Sequence, residues 1–154
     1  MPEIDPKPPT RSGYYLLNTD GGMVNDGKRK KDDPPGEAAV GVVLYSVRNG
    51  KQTFFDGFSG SIGRTTNDKA EYHGLIEGLH FAIAEGVKKV RIYVDSEFVV
   101  DQMNHQSAVR QDDLRDLHNE AHDLLHRFVD HRISWVPRDR NAEADALVRA
   151  ILYD

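Results

Sequence analysis

The sequence predicts an α/β protein: a five-stranded mixed sheet in which a three-strand antiparallel meander is extended by parallel strands, with helices on both faces. Three observations lead there. Short apolar runs rich in Val and aromatic residues recur through residues 14–59, as successive strands require. From Ala70 onward the apolar spacing lengthens to that of a helix. After that helix, strand-like and helix-like segments alternate, so the order is β-β-β-α-β-α-α-β-α.

Residues 14–19 form the first strand, stopping at Asp20, and the Gly- and Pro-bearing stretch 21–36 reads as a long loop. A Val-rich strand at 38–47 meets a partner at 52–59 through Asn49-Gly50, a strong hairpin signal. Ala70, Leu75, Ile76, Leu79, Ala82 and Ile83 share one helical face over 70–84, and Gly86 ends that helix. Gly74 and Gly78 also share a face; they either let the helix approach the sheet or merely weaken it. A strand at 90–94 stops at Asp95, and a short helix follows to about Asn104. A second amphipathic helix spans about 112–128 on Leu114, Leu117, Ala121, Leu124, Leu125 and Phe128. A last strand at 133–136 is broken by Pro137, and a last helix covers 141–152. Trp135 belongs to the core beside that strand.

Length and composition narrow the function classes. A chain of 154 residues suits one domain, here 14–154, behind a flexible leader at 1–13 that carries four prolines and no apolar stretch. No run approaches the apolar length of a membrane span. The absence of Cys excludes disulfides and thiolate metal sites and agrees with a cytoplasmic setting. The formal charge of −5 runs against the basic footprint usual for nucleic-acid binding.

Four acids stand at element ends. Asp20 and Asp95 close strands that, if parallel neighbours, deliver both carboxylates to one sheet edge, where α/β proteins place ligands. Glu71 and Asp145 lie in the first turns of helices. Four such acids repel unless cations separate them, and an oxygen-only set selects hard ions such as Mg²⁺ or Mn²⁺. Each also has a local role available. Asp68 with Glu71 resembles a capping box, Asp95 an N-cap, Asp145 a helix-dipole partner and Asp20 a turn residue. Position alone leaves both readings open.

Context separates them. The segments N-T-D-G-G (18–22), T-T-N-D-K-A-E-Y (65–72), V-D-S-E-F-V-V (94–100) and W-V-P-R-D-R-N-A-E-A-D-A-L (135–147) occur in order and at the spacing of type 1 ribonuclease H. The chain resembles that family over most of 14–152. The resemblance implies the ribonuclease H-like fold and an endonuclease that hydrolyses the RNA strand of RNA–DNA hybrids with two divalent cations, Mg²⁺ or Mn²⁺, leaving 5′-phosphate and 3′-hydroxyl ends. It implies that Asp20 bridges both ions, that Glu71 and Asp95 hold the ion on the leaving-group side, and that Asp145 holds the ion carrying the attacking water. Two such ions would move the formal charge from −5 to about −1. By the same resemblance Asn67 reads the RNA 2′-hydroxyl, a group that tells RNA from DNA. Ser96 and Glu97 approach the minor groove, and Asn141 orients the last loop or caps the last helix. The implied partner is the hybrid alone, with no membrane or protein partner, and the implied state is a monomer.

The chain departs from the family pattern at several points. Glu97 stands where many members carry Gln, though it fits a D-S-E branch, and Asp68 where many carry a second Asn. The loop before the last helix has Pro137-Arg138-Asp139-Arg140 and no mobile His, which marks a shorter-loop branch; Arg138 or Arg140 then meets phosphate or stays solvated. The basic, aromatic protrusion between the middle helices is missing. The run Lys28, Arg29, Lys30, Lys31 either replaces it in part or forms a solvated loop balanced by Asp32, Asp33 and Glu37. These departures leave two alternatives to hybrid cleavage: a weak or inactive binding module on the same fold, and a related nuclease acting on other duplexes. Separately, His118, His122 and His126 recur every four residues, a spacing able to hold Zn²⁺ or Ni²⁺ but more simply explained as flanking the apolar stripe.

Overall fold

The computed structural model describes residues 13–25, 36–105, 109 and 112–153. The expected leader and the basic run at 28–31 lie outside the described residues. Among the described residues ten elements follow one another: β1 (Tyr14–Val24), β2 (Gly36–Arg48), β3 (Lys51–Thr65), α1 (Asn67–Ala84), β4 (Lys89–Val94), α2 (Glu97–His105), α3 (Asp112–Leu125), β5 (Asp130–Trp135), a 3₁₀ turn (Arg138–Arg140) and α4 (Ala142–Tyr153). They build one five-stranded sheet in the order β3-β2-β1-β4-β5. The first three strands pair antiparallel, and β4 and β5 continue the sheet in parallel. This is the predicted meander with parallel extension.

The hairpin between β2 and β3 turns on Asn49 and Gly50, both at positive φ (52° and 76°), as a two-residue primed turn demands. Two apolar layers cover the sheet. On one face α1, α2 and α3 bury Leu17, Val42, Leu44, Leu75, Leu79, Ile92, Val100 and Leu124 in a single cluster. On the other, α4 closes a smaller cluster of Tyr14, Leu16, Val43, Tyr45, Val47 and Ala144.

Several boundaries differ from the sequence reading: β5 spans Asp130–Trp135 rather than 133–136, α3 ends at Leu125 rather than 128, and two strands run longer than expected. β1 does not stop at Asp20 but runs four residues further, with Gly21↔Val40 and Gly22↔Ala39 still paired to β2. The glycines that look like a turn are a strand passing beneath a helix: a Cβ at Gly21 would stand 1.9 Å from the carbonyl oxygen of Ala70 in α1. Gly74 and Gly78 do the same from the helix side, with Cβ positions 2.5 Å from the Asp20 carbonyl oxygen and 2.6 Å from Thr19 Cγ2. Close approach is therefore their role. β3 also extends to Thr65, because the half-exposed second half of this edge strand, rich in Gly and Ser, carries no regular apolar alternation to announce it.

Candidate functional site

Pairing between β1 and β4 ends at Thr19↔Val94. The next residue on each strand is an acid, Asp20 and Asp95, so parallel register alone sets the two carboxylates side by side. Glu71 comes down on them from α1. Its helix is capped by Thr66, whose hydroxyl accepts from the Lys69 N–H at 3.3 Å. Glu71 is thus the fifth residue of the helix and caps nothing. Asp95 is likewise released from capping, since Ser96 Oγ accepts from the Val99 N–H at 3.2 Å and serves as the cap of α2.

Asp20, Glu71 and Asp95 each offer a carboxylate oxygen, and these oxygens lie within 4.8 Å of one another. Asp145 stands outside that tight trio. It projects from α4, which packs on the opposite face of the sheet, and reaches the site across the strand ends. It still lines one cavity of about 120 Å³ with Asp20, Glu71, Asn67 and Arg138. Four residues predicted to share the site therefore do so as three plus one.

The trio is costly without cations. Burial, reinforced by Asp95, pushes the Asp20 carboxyl up to about 7. Burial and the Asp20 charge hold Glu71 well above the ordinary carboxylate range. Asp95 is raised by burial and pulled back by its bond from Asn141 and by the Arg138 charge. Glu71 Oε2 is buried with no hydrogen-bond partner. A buried orphan oxygen beside two more carboxylates, all hard donors, fits divalent cations of the Mg²⁺ class.

Asn141 holds this arrangement together. It is fully buried. Its Nδ2 donates to the Thr19 carbonyl at 2.9 Å and to Asp95 Oδ2 at 3.3 Å, and its Oδ1 accepts from Asn18 Nδ2 at 2.9 Å. With both ends of its amide engaged and no exposed surface, it ties the ends of β1 and β4 to the start of α4. Trp135 fixes the same corner, its indole N–H donating to the Asp95 carbonyl at 3.3 Å. Replacing Asn141 with Leu should cost about 2–3 kcal/mol, since Asn18 and Asp95 lose a buried partner; urea unfolding measures it, and a loss under 0.5 kcal/mol would contradict the clamp.

The chain's relatives share this architecture. A family model described as reverse transcriptase-like matches residues 25–151. Ribonuclease HI of Halobacterium salinarum is 39% identical over 120 residues, covering 78% of this chain and 59% of that protein. The crystal structure of RNase H1 from the same archaeon superposes with a TM-score of 0.75 at 33% identity, over 90% of this chain and 97% of the other. The chain belongs to the type 1 ribonuclease H family. A structure of an RNase H1 in complex with an RNA/DNA hybrid, LC11-RNase H1, is also similar, with a TM-score of 0.72 at 29% identity over 88% and 94% of the two chains. A bifunctional protein of Mycobacterium tuberculosis is 38% identical over 113 residues, which are 73% of this chain. The match spans only 30% of that longer relative.

The remaining predicted contacts separate in space. Asn67 is exposed at the rim of the acid cavity, and Glu97 is exposed at the start of α2. Ser96 keeps its cap. Arg138 lines the acid cavity, whereas Arg140 lines a different one of about 320 Å³ with Asn18, Tyr45 and Tyr93. The two arginines therefore face different cavities. Sequence reasoning missed Arg149 and Tyr153, which line the acid cavity from α4, the guanidinium 5.0 Å from the ring centroid. The signal was present: Arg149 follows Asp145 by one helical turn.

Proposed function

We propose that this protein is an endonuclease that hydrolyses the RNA strand of RNA–DNA hybrids, leaving 5′-phosphate and 3′-hydroxyl ends. The observation that carries the reading is the convergence of buried Asp20 and Glu71 with half-buried Asp95 where the pairing of β1 with β4 ends. Likeness to an RNase H1 whose structure contains an RNA/DNA hybrid supports the substrate class.

In this reading Asp20, Glu71, Asp95 and Asp145 hold two divalent cations, Mg²⁺ or Mn²⁺. When bound, the cations supply Lewis-acid charge that favours an attacking water and a departing 3′-oxygen. The residues of the chain do the rest. Asp20 lies between Glu71 and Asp95 and serves both sides of the site. Asp145, held apart on α4, serves the water side. Asn67 presents an amide, able to donate and accept, to a 2′-hydroxyl at the cavity rim. Arg138 and Arg149 set positive charge against the phosphates along that rim. Glu97 offers an acceptor to the minor groove. The protein acts as a monomer on the hybrid, and its lack of Cys suits the cytoplasm. Among the described residues no helix is long and apolar enough to cross a membrane.

Incubating labelled RNA–DNA hybrid, double-stranded RNA and double-stranded DNA with the protein, with Mg²⁺ or Mn²⁺ and with chelator, tests the reading. Hybrid-only, metal-dependent cleavage is expected. Binding of hybrid without turnover, or cleavage of the other duplexes, would replace it with one of the two alternatives.

A further inference from the structure

The larger cavity, of about 320 Å³, opens on the α4 face of the sheet. Asn18, Tyr45 and Tyr93 line it from the strands, and Asp139, Arg140 and Glu143 from the 3₁₀ turn and the start of α4. It forms where the helix stops covering the sheet: α4 packs on β1, β2 and β3, while β4 and β5 carry the same face further. Alternation along those strands puts Arg91 and Tyr93 of β4 and Arg132 of β5 on that face. Tyr93 accordingly packs at the edge of the α4-side cluster. Arg91 lies 5.9 Å from the Tyr14 ring centroid and bridges to Asp130 at 3.4 Å, whereas Arg132 and Arg140 are exposed. This face is aromatic and rich in arginine in a chain whose formal charge is −5.

Phe54 extends the aromatic wall outward. It pairs with Tyr45 in register, stands edge-on to that ring at 6.3 Å between centroids and 77°, and is 64% exposed. A lone exposed ring is unremarkable, but this one continues a row of aromatics that borders a cavity. Beside the same cavity Asn18 donates through Nδ2 to Asn141, and its own Oδ1 is buried without a partner. The carboxylate site uses none of Tyr45, Phe54 or Tyr93.

We propose that this face binds a single strand of nucleic acid, with unpaired bases stacked on Tyr93 and Phe54 and a phosphate held by Arg140. Tyr93 and Phe54 stand on β4 and β3, three strand spacings of about 4.8 Å apart. One base cannot touch both, so the occupant is a strand and not a mononucleotide. Aromatic faces accept any base, but only an unpaired base can leave its own stack to reach them. Asp139 and Glu143 repel phosphate and accept from base N–H groups, which turns the bases inward and leaves the backbone to Arg140 and Arg132. Stacking needs no metal, so this site works independently of the carboxylate centre and of the proposed cleavage.

Fluorescence anisotropy of a labelled, mixed-sequence DNA octamer, in chelator and with the full chain, tests the site. Phe54→Ala, at an exposed position, and Tyr93→Ala should each weaken binding about fivefold or more, while Phe54→Trp and Tyr93→Phe should retain it. Arg140→Gln should weaken binding and lower the salt slope by about 0.7. His80→Gln, in α1 on the other side of the sheet, should change nothing. An octamer carrying 5-iodouracil should crosslink on irradiation to a peptide containing Tyr45, Phe54 or Tyr93. Equal affinity for a mononucleotide and the octamer would overturn the proposal. So would octamer affinity unaffected by both alanine substitutions, or an equal loss for a blunt DNA duplex.

Discussion

Asp20→Asn is expected to lower hybrid cleavage by about three orders of magnitude or more, equivalent to about 4 kcal/mol of transition-state stabilisation. The same change should make the metal-free protein more stable at neutral pH. Asp20 is buried, and its carboxyl is pushed from an ordinary 3.8 to about 7. Between those values the folded state binds a proton that the unfolded chain has released. The metal-free protein should therefore lose stability as pH rises from about 4 to about 7, by a few kcal/mol. Glu71 and Asp95, also raised, push in the same direction. Mg²⁺ should reverse the loss at pH 7 to 8, and in Asp20→Asn both the slope and the Mg²⁺ response should shrink. Urea unfolding at pH 5 and pH 7.5, with Mg²⁺ and with chelator, measures all of this. A metal-free protein equally stable at both values would contradict the electrostatic picture of the site.

The second large effect is expected at an uncharged residue beside the acids. Gly21→Ala places a methyl carbon 1.9 Å from the Ala70 carbonyl oxygen, well inside van der Waals contact with backbone. No rotamer relieves a Cβ, so α1 must lift from β1. Overpacking of this kind costs about 3 kcal/mol. Ala70 immediately precedes Glu71, so the lift also draws Glu71 from Asp20. Activity should fall at least about tenfold even at temperatures where the variant remains folded. Gly60→Ala, whose Cβ would meet nothing within 4 Å, should leave activity nearly unchanged. Parallel chemical denaturation and hybrid-cleavage rates separate the two components. A fully active Gly21→Ala would mean that the helix-strand spacing does not set the site.

Much of this was legible before any coordinates. Apolar periodicity and the Asn49-Gly50 turn located the elements, and the β4 strand ending at Asp95 placed one acid beside Asp20. The misjudged features share a physical origin: they depend on what lies opposite in space. Gly21-Gly22 carries the composition of a turn, and only the passage of α1 over β1 makes it a strand. The second half of β3 is half exposed and rich in Gly and Ser, so burial leaves no regular mark on its sequence. Asn141 looks like any helix cap until Thr19, Asp95 and Asn18 surround it. Arg138 and Arg140 are two residues apart, yet the 3₁₀ turn sends them into different cavities, a separation that no linear spacing specifies. Asp145 belongs to the right neighbourhood but approaches from the α4 side, because a helix on the opposite face cannot bring its first turn over the α1 side of the sheet.

The parallel register of β1 with β4 joins Thr19 to Val94 across 75 positions of chain. Contacts that distant close late during folding, after local hairpins and helices have formed. Until that closure Asp20 and Asp95 are ordinary solvated acids on unconnected segments, unable to chelate or to act as a pair. Under the proposed function, assembly of the carboxylate site is expected to depend on the same long-range pairing that completes the central sheet.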